Sequence, residues 1–186
     1  MEPVTETQKL KQIIKNMEAA KFTPIFVGGL ALTLFGSDRV TFDCDLVSKR
    51  PKDMEEAKSL TRAMYKSKCY YISKIDKDGN PVAYIDNANV AASRIMIDKP
   101  DTVFFWNPEL EMKIDILLDF PLKASELLAV AENKKLDRTT TIKIASLQHL
   151  KEMKEIALHA RKSPKDLQDL DFIKKKLSQP ITKNNG

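Results

Sequence analysis

The segment Met112-Lys113-Ile114-Asp115-Ile116-Leu117-Leu118 turns Ile114, Ile116 and Leu118 to one side of an extended chain and Lys113 and Asp115 to the other. A two-residue period of that kind commits the chain to a sheet with one face in a core. The flanking patterns say what packs on it. Residues 6–20 carry Leu10, Ile13, Ile14 and Met17 at helical spacing. Residues 25–27 read as a short strand ended by Gly28-Gly29, residues 30–35 as a helix closed by Gly36, and residues 42–47 as a second strand. Pro51 opens a helix to about residue 66 with Met54, Ala57, Leu60 and Met64 inward. Residues 70–75 and 82–85 flank the turn sequence Asp76-Lys77-Asp78-Gly79-Asn80 and predict a hairpin. Residues 92–97, 102–106 and 139–144 read as further strands, and residues 147–161 and 164–177 as a closing pair of helices. The order predicts a mixed α/β fold: a sheet flanked by helices over residues 1–145, a helical region at 146–178 packed on it, and a flexible tail at 179–186.

Composition narrows the setting. With 186 residues, 42% hydrophobic and 31% charged, the chain fits a compact domain, and its apolar runs fall far short of the ~20 residues of a membrane-spanning helix. Glu2, Glu6, Lys9, Lys11 and Lys15 interrupt the start where a secretory signal needs a continuous apolar stretch. The expectation is a cytoplasmic protein with no membrane partner. Cys44 and Cys69 alone make neither a disulfide framework nor a cysteine-rich zinc site. The net charge of +5 is uneven, −1 over residues 1–120 and +6 over 121–186. A basic C-terminal part suits a polyanionic ligand or forms a solvated helix face.

Of the five glycines, Gly28, Gly29 and Gly36 lie within nine residues. A glycine pair between strand and helix implies close backbone approach, to another element or to a phosphate. Asp43 and Asp45 follow at i and i+2 of an apolar strand, on one face, with Phe42, Cys44 and Leu46 on the other. Adjacent carboxylates destabilise each other unless a cation lies between them, and hard oxygen ligands favour Mg²⁺ or Mn²⁺. The other Asp-x-Asp triplets differ: Asp76/Asp78 is turn material, and Asp169/Asp171 diverge on a helix. Asp115, central in its strand, supplies a third carboxylate or the polar face of an edge strand, while Asp119 reads as surface. Lys154 lies near the stripe Leu147, Leu150, Met153 and Ala157, where a lysine snorkels, pairs with a carboxylate or meets a ligand phosphate. Ser163-Pro164-Lys165-Asp166 reads as a helix start, His149 and His159 diverge around their helix, and Phe104-Phe105-Trp106 reads as core or as an acceptor-pocket wall.

Gly28-Gly29, thirteen residues, Asp43-x-Asp45 and the later Asp115 strand resemble the pattern of the DNA polymerase β-like nucleotidyltransferases. The stretch through Gly36, Arg39 and Thr41 is similar to the small bacterial members, aminoglycoside nucleotidyltransferases and abortive-infection toxins among them. The resemblance spans roughly residues 22–172 and leaves 66–110 unmatched. It implies transfer of a nucleoside monophosphate from an NTP to a hydroxyl, with two Mg²⁺ ions (or Mn²⁺) held by Asp43, Asp45 and Asp115, and Gly28, Gly29, Arg39 and Lys154 on the nucleotide. It leaves the acceptor open between a small molecule, RNA and protein, and allows a cognate partner protein. A non-catalytic nucleotide-binding or antitoxin-type module is the rival of another class.

Overall fold

The computed structural model describes residues 6–38, 41 and 43–179. Arg39, Phe42 and residues 180–186 lie outside the described residues, so the expectations placed on them are not tested. The elements run α1 (Glu6–Ala19), β1 (Ile25–Phe26), α2 (Gly28–Leu34), β2 (Cys44–Ser48), α3 (Met54–Lys66), β3 (Tyr70–Ile75), β4 (Pro81–Ile85) and α4 (Ala88–Asp98). Then follow β5 (Thr102–Asn107), β6 (Met112–Leu118), α5 (Ala124–Ala129), β7 (Glu132–Lys135), β8 (Thr141–Ile144), α6 (Leu147–Arg161) and α7 (Pro164–Ser178).

One eight-stranded mixed sheet, ordered β4-β3-β5-β6-β2-β1-β8-β7, organises the chain. β2 runs parallel to β6 and β1 parallel to β8, while the β1–β2, β5–β6 and β3–β4 pairs are antiparallel. The alternation read in the sequence governs β6: Ile114, Ile116 and Leu118 are fully buried, and Lys113, Asp115 and Leu117 are half-buried. In-register neighbours repeat it, with Cys44 and Leu46 of β2 and Val103 and Phe105 of β5 on the same buried face. Leu10, Ile13 and Met17 of α1 and Leu60 and Met64 of α3 join that core. Asn107 ties the sheet to the end of α3 by donating to the Ser67 carbonyl at 3.0 Å. Cys44 and Cys69 are both buried and free.

The structure corrects the reading of residues 92–97, which belong to helix α4 and not to a strand. The Asn87 side chain caps that helix by accepting from the Asn89 and Val90 N–H groups, and Ala91, Ala92 and Ile95 bury one helical face. The two short elements α5 and β7 carry no pattern strong enough to announce them: β7 reads Glu-Asn-Lys-Lys because it is an edge strand, where charge discourages pairing with other chains. α3 begins at Met54, later than Pro51, because Asp53 accepts from the Glu56 N–H and sets the cap.

Candidate functional site

The polar face of the sheet meets helix α6 across a cleft of about 390 Å³. Asp45 and Asp115 are direct Cα partners on the parallel strands β2 and β6, and Phe104 of β5 is the antiparallel partner of Asp115. Residues paired in register share a face, so ring, carboxylate and carboxylate stand in one row across three strands. All three line the cleft.

Gly28 is what lets that row close. Its φ is +63°, a conformation glycine adopts without cost, and a β-carbon there would stand 2.0 Å from Asp45 Oδ2. The close approach read from the glycine pair is therefore made to Asp45, at the point where β1 turns into α2. The Val27 N–H donates to the Asp45 carbonyl at 3.0 Å and fixes the same juxtaposition. Gly29 is buried inside α2.

Asp115 is the electrostatic anomaly. Its Oδ1 is buried without a hydrogen-bond partner, and its Oδ2 lies 3.2 Å from Lys113 Nζ. Burial pushes its carboxyl up to about 6; Lys113 opposes that rise, and the charges of Asp45 and Asp43 add to it. Asp43 itself precedes the first paired residue of β2 and is exposed. The ladder fixes Asp45 and begins one residue after Asp43, whose charge still reaches Asp115. Among the described residues no three His, Cys, Asp or Glu side chains converge closely enough to hold a metal ion by themselves.

The opposite wall is helical. Lys154 and Arg161 of α6 line the cleft, and both are held from behind by α7. Lys154 Nζ lies 2.9 Å from Asp166 Oδ1 and 2.7 Å from Asp169 Oδ2. Arg161 grips Asp166 with two N–H groups, Nε at 2.7 Å and Nη2 at 3.0 Å. Burial pushes the Asp166 carboxyl up, but the hydrogen bonds and charges of Arg161 and Lys154 outweigh it and hold the group down to about 2. Of the readings open for Lys154, the carboxylate pair is the one formed, while the side chain still borders the cleft. Asp166 is thus more than a helix start, since it is buried and Ser163 makes no side-chain cap.

The sequence reading takes Asp166 as part of a helix start and gives Asp166, Asp169 and Arg161 no place among the site residues. A usable signal existed: Asp166, Asp169, Leu170 and Ile173 follow helical spacing and are all buried, so two acids sit in a core-facing stripe and require cations. Asp119 is likewise structural, with its carboxylate accepting from the Arg50 and Ala124 N–H groups. Phe104 lines the cleft while Phe105 is core.

No family model and no curated protein matches the chain. Solved structures do match in shape. The lincomycin-bound lincosamide antibiotic adenylyltransferase LnuA superposes with a TM-score of 0.52 at 13% identity, covering 92% of this chain and 97% of that one. The antibiotic-resistance factor ANT(2'')-Ia gives 0.56 at 9% identity, over 92% and 84% of the two chains. An antigenic nucleotidyltransferase-like protein from Paracoccidioides brasiliensis gives 0.51 at 16% identity, over 91% and 76%. The chain has the nucleotidyltransferase fold, as its glycine pair and spaced aspartates led one to expect.

Proposed function

We propose that the protein transfers a nucleoside monophosphate from an NTP to a hydroxyl acceptor, releasing pyrophosphate. One observation carries the reading: Asp115 keeps a buried carboxylate oxygen without a partner, in register with Asp45, at the floor of a cleft. A fold that leaves a charged oxygen unsatisfied in its interior bears a desolvation cost, which a ligand of opposite charge relieves. Similarity in shape to an adenylyltransferase supports the same chemistry.

The residues fit a divalent cation. Asp45 and Asp115 offer hard oxygens side by side, and the exposed Asp43 is two residues from Asp45, its charge within reach of Asp115. When bound, Mg²⁺ or Mn²⁺ would neutralise the triphosphate and polarise the phosphorus under attack. Asp115 receives the acceptor hydroxyl, because its buried Oδ1 has no partner and can accept the hydroxyl's hydrogen bond and then its proton. Gly28 keeps Asp45 in place beneath the start of α2, and Gly29, buried in that helix, is assigned to the donor by resemblance alone. Lys154 and Arg161, braced by Asp166 and Asp169, form the wall across from the carboxylates. Arg39 is assigned to the nucleotide by resemblance alone.

The direct test is thermal unfolding of the wild type and of Asp45→Asn with each of the four NTPs, with and without Mg²⁺. A ligand that binds the folded state alone raises stability by RT ln(1 + [L]/Kd). The expected result is a Mg²⁺-dependent rise for at least one NTP that Asp45→Asn abolishes, followed by pyrophosphate release once an acceptor is supplied. Equal stabilisation of the variant and the wild type would overturn the proposal.

A further inference from the structure

The cleft is lopsided. The carboxylates occupy its Gly28 side, and from Asp115 toward β5 the lining turns apolar, with Thr102 and Phe104 on the sheet facing Met153, Ile156 and Ala157 on α6. Phe120 and Ile156, both lining residues, are each 41% exposed, so large apolar side chains are left to water in this cleft. The ring of Phe104 stands on the same face as Asp115 and one strand away.

The cations on these walls are matched internally. Among the described lining residues the cations are Lys154 and Arg161, and Asp166 and Asp169 already hold them. The lining carboxylates are Asp45 and Asp115, both assigned above to the metal, and Asp115 to the acceptor hydroxyl as well. A polyanionic acceptor such as RNA needs cations it can pair with, and a polycationic one needs further carboxylates. Lys113 Nζ reaches over the Phe104 ring at 5.4 Å but is already paired with Asp115 Oδ2 at 3.2 Å. The apolar half therefore adds neither an unpaired cation nor a further carboxylate among the described lining residues, and about 390 Å³ suits a small molecule.

Resting on the nucleotidyl-transfer reading, we infer that the acceptor is an uncharged, largely apolar small molecule bearing a hydroxyl, bound between Phe104 and α6 with that hydroxyl at Asp115. The acceptor oxygen attacks the α-phosphorus and forms a new P–O bond as the bond to the bridging oxygen of pyrophosphate breaks. Pyrophosphate leaves with that electron pair, and the hydroxyl proton passes to the Asp115 carboxylate.

The test follows the ¹³C-labelled methyl groups of Met153 and Ile156 by NMR during titration with three probes: 4-phenylbutan-1-ol, the polycation neomycin and a 20-nucleotide single-stranded RNA. Saturable shifts with the alcohol alone, at least tenfold weaker in Ala157→Phe, which plugs the apolar half, are the expected result. Ile156→Glu, read at Met153, replaces that variant if it does not fold. Shifts produced by neomycin or RNA in preference to the alcohol overturn the inference, as does alcohol binding that neither substitution weakens. The Mg²⁺–NTP thermal response of the wild type is read in parallel. Retained while the alcohol fails, it sinks the acceptor class and leaves nucleotidyl transfer standing; absent, it sinks both.

Discussion

Asp115 on the sheet and Asp166 on α7 stand behind opposite walls of one cleft, both taken largely out of water, and their carboxyls are driven in opposite directions, to about 6 and about 2. Burial acts on both alike. The difference lies in partners: Asp166 accepts from Lys154 and twice from Arg161, whereas Asp115 has Lys113 on one oxygen and nothing on the other. A carboxylate whose lone pairs are satisfied serves as scaffold, and one left short serves as a site for an incoming charge. Under the proposed function, the contrast separates the two walls by job, the sheet for chemistry and the paired helices for holding shape.

The sharpest way to break that division is to neutralise each wall in turn. Asp45→Asn or Asp115→Asn should lower transfer roughly a thousandfold, the several kcal/mol expected of lost metal-assisted catalysis, with no loss in melting temperature. A thermal collapse in either variant would make the sheet wall structural after all. Asp166→Ala should do the reverse and cost about 3 kcal/mol of stability, because it strips a buried partner from Lys154 and Arg161. Urea unfolding measures it, and an unchanged midpoint would remove the scaffold role.

Acid titration of the metal-free protein sharpens the same comparison. Asp166 is depressed in the folded state, so its contribution of about 2 kcal/mol is present above pH ~4 and is lost as pH falls toward ~2. Asp115 is raised, so its contribution is fully present below pH ~4 and is lost as pH rises toward ~6, on the order of 3 kcal/mol at most. Stability curves of Asp166→Asn and Asp115→Asn should each flatten in their own window, and a shared window would mean the two groups are not distinguished by their partners. The smallest effect is expected from Lys113→Met, which removes the cation opposing the rise at Asp115 and moves the titration of that carboxyl in the metal-free protein upward. A downward move would contradict the assignment of Lys113 as a restraint on that carboxyl.

Much of the fold is legible in the amino-acid sequence. The alternation in β6, the helical stripe of α1 and the hairpin turn at Asp76 to Asn80 are local patterns, and each reappears in place. Residues 92–97 misled because Ile95 and Ile97 look like strand residues, while the deciding facts were the Asn87 cap and the burial of Ala91, Ala92 and Ile95 along one helical face. Asp43 lies at a boundary the sequence does not mark: its spacing from Asp45 reads as strand, whereas pairing begins at Cys44 and leaves Asp43 exposed one residue before it.

The sequence alone determined the periods: which residues of β2 and β6 turn to the core, which turn away, and that carboxylates lie on the polar side. Those follow from backbone geometry, which repeats every two residues in a strand whatever surrounds it. Only the tertiary structure decided that Asp45 stands opposite Asp115, that Gly28 makes room for Asp45, and that Lys154 reaches back to α7. Strand register and helix docking are set by burying a whole apolar face at once, and that optimum belongs to no single segment.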